Sequence, residues 1–205
     1  MMERREESMS GIQGAAPVAW RTLCRQRAAE QAAREGRRAW GVAENAPIPF
    51  NHRWEHVEEV VQLALWLARE LDADAEVAEA AAWLHDVRKG EAEHGAAGAA
   101  VAAIILAESD FPVVKIARVA DAIRQHAGLY RAQGAAPLEP LEAALLWDAD
   151  KLSKLGVHAL AFNLSTIYAA NKSLAQRRQE NLEFVHSVLR RTVTSMNTDP
   201  GRRLA

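Results

Sequence analysis

A single cysteine, Cys24, stands in the 205 residues. That excludes an internal disulfide framework and a multi-cysteine metal site, and it suits a reducing compartment. No run approaches the ~18 uninterrupted apolar residues that a membrane span needs. The N-terminal "MMERREESMSGIQGAA" has basic residues but no apolar stretch after them, unlike a signal peptide. A cytoplasmic protein with no membrane contact is therefore expected. An excess of one charge sign is also missing. Lys and Arg number 25 against 27 Asp and Glu, a net charge of −2, which argues against a dedicated nucleic-acid binder. The local exception is residues 20–38, with six Arg and two Glu, read as a solvated helix face ahead of a contact for an acidic partner. Alternating runs long enough for a sheet are absent, and so are internal repeats.

What is present is helical. Residues 1–16 are polar and small, expected as a disordered lead. Residues 17–45 read as an N-terminal helical extension, 46–193 as the main domain, and 194–205, ending in "MNTDPGRRLA", as an irregular tail. Within the main domain "RWEHVEEVVQLALWLAREL" places Trp54, Val57, Val61, Ala64, Ala68 and Leu71 at helical spacing. Asn51 stands where a cap belongs. "DADAEVAEAAAWLHDVRK" is expected as a second helix, stopped at Gly90. "HGAAGAAVAAIILAE" follows, its small residues suiting close packing, and then "FPVVKIARVADAIRQHAG" and "LEAALLWDADKLSKLG". The expected class is all-α.

The alanine-rich run at residues 80–84 ends in His85 and Asp86, groups costly to bury without partners. His56 shares a stripe with Val60, Leu63 and Leu67. His126 shares one with Ile116, Val119 and Ile123, and His94 opens a helix. Asp148 and Asp150 interrupt an apolar helix. They point about 200° apart, and periodicity does not choose between them. The chain offers few inward-facing cations to pair with these groups. Imidazole and carboxylate together are ligands for Fe, Mn, Ni, Co or Zn.

In order, "HRWEH", "LHDVRK" and "DADKL" resemble the H…HD…D motifs of the HD superfamily of metal-dependent phosphohydrolases. The resemblance runs from His52 to Leu155. It implies an all-α HD-domain bundle over 46–193, with His56, His85, Asp86 and Asp150 on a first metal. Asp150 is chosen because it starts "DKL". "EHGAAGAA" and "AIRQHAG" resemble segments of two-metal members, such as the HD-type diadenosine tetraphosphatases and HD-GYP phosphodiesterases. In those, Asp86 would bridge two divalent ions, with His94 and His126 on the second. The GYP motif itself is missing. The tail resembles the C-terminal region of small bacterial HD hydrolases.

The same resemblance implies that Asp86 and Lys89 serve catalysis, with Lys89 binding phosphate as in the "HDIGK" form. Arg88 replaces that form's glycine and reads equally as a second phosphate ligand or an exposed arginine. His52 is expected at the helix start, as a cap or behind the ligands. Asp148 would orient a ligand histidine or cap a neighbouring helix, and Trp54 and Trp147 would wall the pocket. The partner would be a small phosphorylated substrate, such as a nucleotide. A non-enzymatic reading stands beside it: a metal-stabilised helical module or nucleotide sensor.

Overall fold

Capping side chains set where several of the helices begin. In the computed structural model, which describes residues 18–165 and 170–205, Asn51 accepts the Trp54 amide and opens α2, His52–Glu70. Asp74 accepts the Glu76 and Val77 amides and opens α3, Ala75–Leu84. Before them lies α1, Trp20–Trp40. After them come α4, His94–Ala107, α5, Val113–Gln125, α6, Leu141–Leu152, and α7, Gly156–Ser165. α8, Leu174–Phe184, passes through a π-helical turn at Val185–Leu189 into α9, Arg190–Val193, and α10 spans Asp199–Leu204. Among the described residues there is no strand, only an isolated bridge between Val18 and Ser109. No described helix is long and apolar enough to cross a membrane. The lead at 1–16 lies outside the described residues.

α6 is the central helix: every residue from Glu142 to Leu152 is buried. Around it Val60, Leu67, Leu84, Leu106, Val119 and Ile123 form one apolar cluster, which also takes in Trp20, Leu23 and Cys24 of α1. α4 and α5 approach closely because α4 presents glycines. A Cβ on Gly95 would stand 2.8 Å from the Arg124 carbonyl oxygen, so His94 is brought up to His126. Arg21, Arg25 and Arg27 of α1 pair with Glu79, Glu58 and Glu30.

Two expectations change. α3 does not run on to Lys89 but ends at Leu84, because Nδ1 of His85 takes the Ala82 carbonyl at 2.7 Å. The chain then turns through Val87 N–H to Leu84 O and Lys89 N–H to Asp86 O. The tail is not irregular. Thr198 caps α10 through the Gly201 amide, and the Asp148 carboxylate accepts from the amides and side chains of both Asn197 and Thr198.

Candidate metal centre

The helices deliver four imidazoles in a row. His56, His85, His126 and His94 follow one another at centroid distances of 5.3, 5.2 and 5.1 Å, each ring edge-on to the next. His85 and His126 are the C-caps of α3 and α5. Each directs Nδ1 at a last-turn carbonyl of its own helix, Ala82 at 2.7 Å and Ile123 at 2.6 Å. A carbonyl only accepts, so Nδ1 carries the hydrogen and Nε2 points inward. His56 reaches the same state differently. Ser153 donates its hydroxyl to the Asp150 carbonyl at 2.8 Å, leaving its oxygen to accept from Nδ1 of His56 at 3.0 Å.

A first group of donor atoms then converges. Nε2 of His56 and Nε2 of His85 stand 3.3 Å apart. Oδ2 of Asp86 lies 3.9 and 3.6 Å from them, and Oδ1 of Asp150 lies 3.2 and 3.9 Å from them. Ligands about 2.1 Å from a tetrahedral ion are about 3.4 Å from one another, so the spacing suits a divalent metal. The other oxygen of Asp86 faces a second group. Oδ1 is 3.4 Å from Nε2 of His126, and His94 completes a set whose ligand atoms lie within 4.8 Å of one another.

Burial, and after it the Lys154 charge, pushes the His56 imidazole down, and burial takes His85 down to about 3. Both are therefore neutral with inward lone pairs, whose neighbours are each other and two carboxylates, all acceptors. Such a convergence of acceptor atoms is a place for a cation. Burial and the Lys89 charge bring His94 down to about 4. Against the upward push of burial, the charges of Lys151 and Lys154 hold Asp150 well below the usual carboxylate range. Lys89, 3.2 Å away, helps to hold Asp86 low in the same way.

The expected scarcity of inward cations is corrected here. Lys151, fully buried, binds the Asp150 carboxylate and donates to the His126 carbonyl at 3.1 Å. Its ammonium sits 4.4 Å above the Trp147 ring. Lys154 reaches Asp150 at 2.5 Å, and Lys89 reaches Asp86 at 3.2 Å and His94 at 3.5 Å. Arg53 stands 3.9 Å from Asp86. Lys151 entered the sequence reading only as part of the "DKL" that singled out Asp150, and Lys154, one helical turn past Asp150, carried no signal of its own. Ser153 was visible only as the residue three past Asp150.

Of the residues expected in the site, His56, His85, Asp86, Lys89, His94, His126 and Asp150 come together. Arg88 does not join them: it pairs with Glu91 at 2.6 Å. His52 is buried in the first turn of α2, where Asn51 is the cap. Asp148 contacts none of the histidines named above and holds the C-terminal segment instead. Trp54 stacks on Trp83 at 5.8 Å, and Trp83 lines a cleft beside Asp86 with Gln31, Glu35, Arg53 and Val57.

A family model for the HD domain matches residues 53–155. No curated protein matches the chain. Among solved structures, an HD-superfamily hydrolase from Bacillus thuringiensis is similar, at 22% identity and TM-score 0.58 over 88% of each chain. A predicted HD superfamily hydrolase from an uncultured Thermotogales bacterium is 25% identical, with TM-score 0.50, over 79% of this chain and 88% of that one. Bacillus subtilis YpgQ, solved in complex with ADP, is 20% identical with TM-score 0.55 over 88% and 87%.

Proposed function

The chain belongs to the HD domain family, and from that premise we propose that it is a metal-dependent phosphohydrolase acting on a nucleotide or another small phosphoester or anhydride. The observation that carries the reading is the tautomer set. Nδ1 of His56, His85 and His126 is taken up by Ser153, Ala82 and Ile123, so Nε2 of each faces the two oxygens of Asp86.

His56, His85, Asp86 and Asp150 would hold one divalent ion, and Asp86, His94 and His126 a second. The donors are nitrogen and oxygen without sulfur, which suits Fe, Mn, Ni, Co or Zn. Bound there, the metal supplies Lewis acidity and makes hydroxide available near neutral pH.

The chain's own residues do the rest. Lys89, on the turn after α3 and a quarter exposed, presents its ammonium at the edge of Asp86, where an anionic phosphoryl oxygen would meet it. Ser153, Ala82 and Ile123 keep the imidazoles from rotating. Lys151 holds the Asp150 carboxylate by Oδ2, and Lys154 holds it by Oδ1, the oxygen that also faces His56. The ADP bound by YpgQ, a protein of similar fold, supports a nucleotide among the phosphorylated substrates.

The test is a phosphatase screen over nucleotides and dinucleoside polyphosphates, using protein reconstituted with each candidate metal. Metal-dependent release of phosphate, pyrophosphate or, from a dinucleoside polyphosphate, two nucleotides is expected, abolished by Asp86→Ala. Stoichiometric metal uptake without hydrolysis of any member would favour a metal-stabilised module or nucleotide sensor.

A further inference from the structure

We propose that Arg53 is a second anion-binding residue of this site, positioned by Glu35 of α1, and that it meets a substrate phosphoryl oxygen beside the first ligand group as Lys89 does beside the second. This rests on the phosphohydrolase reading. The starting observation is a division of labour across Asp86. Oδ1 faces His126 and Lys89, whereas Oδ2 faces His56, His85 and Arg53. Each oxygen of Asp86 therefore has one partly exposed cation beside it. The other cations at the centre, Lys151 and Lys154, are committed to Asp150.

Arg53 is built for the task. Its Nε pairs with Glu35 at 3.3 Å, and the Glu35 carboxylate is fixed in turn by the Gln31 amide at 2.7 Å. Nη1 is 3.9 Å from Asp86, beyond hydrogen-bond distance, so that end of the guanidinium is not spent on the carboxylate. A planar fork with free donors matches phosphate. Arg53 also lines the cleft that runs from Asp86 along Ala28, Gln31 and Glu35 of α1 to Trp83.

α1 lies before residue 53, where the family match begins. It nevertheless pairs with the Arg53 side chain through Glu35, and through Gln31 it holds the backbone carbonyl of Lys89 at 3.3 Å. The N-terminal helix is thereby a wall of the substrate site and takes part in choosing what binds.

The test uses full-length, Mn²⁺-loaded protein titrated with ADP and with inorganic phosphate by calorimetry, beside elemental analysis. Arg53→Met should keep its metal and bind at least one of the two anions about tenfold more weakly, the size of a lost charge-assisted hydrogen bond. Arg53→Lys should recover part of that loss. Glu35→Gln should weaken binding several-fold alone but add nothing in the Arg53→Met background, because it acts through Arg53. Wild-type affinity for both anions in Arg53→Met, or loss of metal in it, overturns the inference and leaves the phosphohydrolase reading standing. A wild-type protein that takes up no metal, or binds neither anion when loaded, overturns both.

Discussion

The hydroxyl of Ser153 stands 3.0 Å from Nδ1 of His56, and it can only accept there because its hydrogen is given to the Asp150 carbonyl. One serine thus fixes the tautomer of a histidine on α2 from the end of α6, tying together two ligands of the first group. Ser153→Ala should lower metal affinity about tenfold, in the range usual for groups that orient metal-bound histidines, with the melting temperature little changed. Competition with a chromogenic chelator measures it. Unaltered affinity would mean that packing alone orients His56.

Lys89→Ala should leave metal content and melting temperature close to wild type while lowering kcat, raising KM, or both, on whichever phosphoester is hydrolysed. The lysine is a quarter exposed and its partners are Asp86 and His94, so folding does not depend on it. Wild-type kinetics would make it an ordinary surface lysine.

Asp150 and Asp148 separate by what they hold. Asp150→Ala should remove the first metal and activity together. Asp148→Ala strips the acceptor from Asn197 and Thr198 at a fully buried position. It should cost about 2–4 kcal/mol of stability, as expected when buried donors lose their partner, while the protein that remains folded keeps its metal. Gly201→Ala should resemble it, because a Cβ there would lie 2.3 Å from Asp148 Oδ2. Chemical denaturation and elemental analysis distinguish these outcomes.

This pair also shows what could be read from the chain and what could not. His56 and His126 were legible because each continues an apolar stripe on its own helix, and His85–Asp86 because an apolar run ends in them. Asp148 and Asp150 were not separable by pattern, since α6 is buried on every side and a helix without an exposed face has no period to read. α10 was hidden for a related reason. Its helix depends on Thr198 and on Asp148, about 50 residues away in sequence, rather than on local propensity. Arg53 and Glu35 were missed because a charged residue in a charged sequence is silent until its neighbours on another helix are known. The early end of α3 needed the His85 side chain to compete for the Ala82 carbonyl, a contact that propensity does not encode.

Asp74 supplies a pH test remote from the metal centre. Burial pushes its carboxyl up, but Lys115, the Val77 amide and Arg118 outweigh it and bring it below its ordinary value of 3.8. A carboxyl lowered on folding stabilises above its unfolded value, and that contribution is lost as pH falls through the folded one. Asp74→Ala, which also removes the α3 cap, should therefore cost about 1–2 kcal/mol at pH 7. The cost should shrink below pH 3.8. A difference between mutant and wild type that stays constant with pH would assign the effect to packing.

The most direct measurement is the metal content of the purified chain after anaerobic reconstitution. Two equivalents per chain are expected, because Asp86 offers one oxygen to His56 and His85 and the other to His126. His126→Ala should then retain one equivalent and lose most activity. A maximum of one equivalent in the wild type, with His126→Ala unchanged in metal content and activity, would contradict the two-metal account.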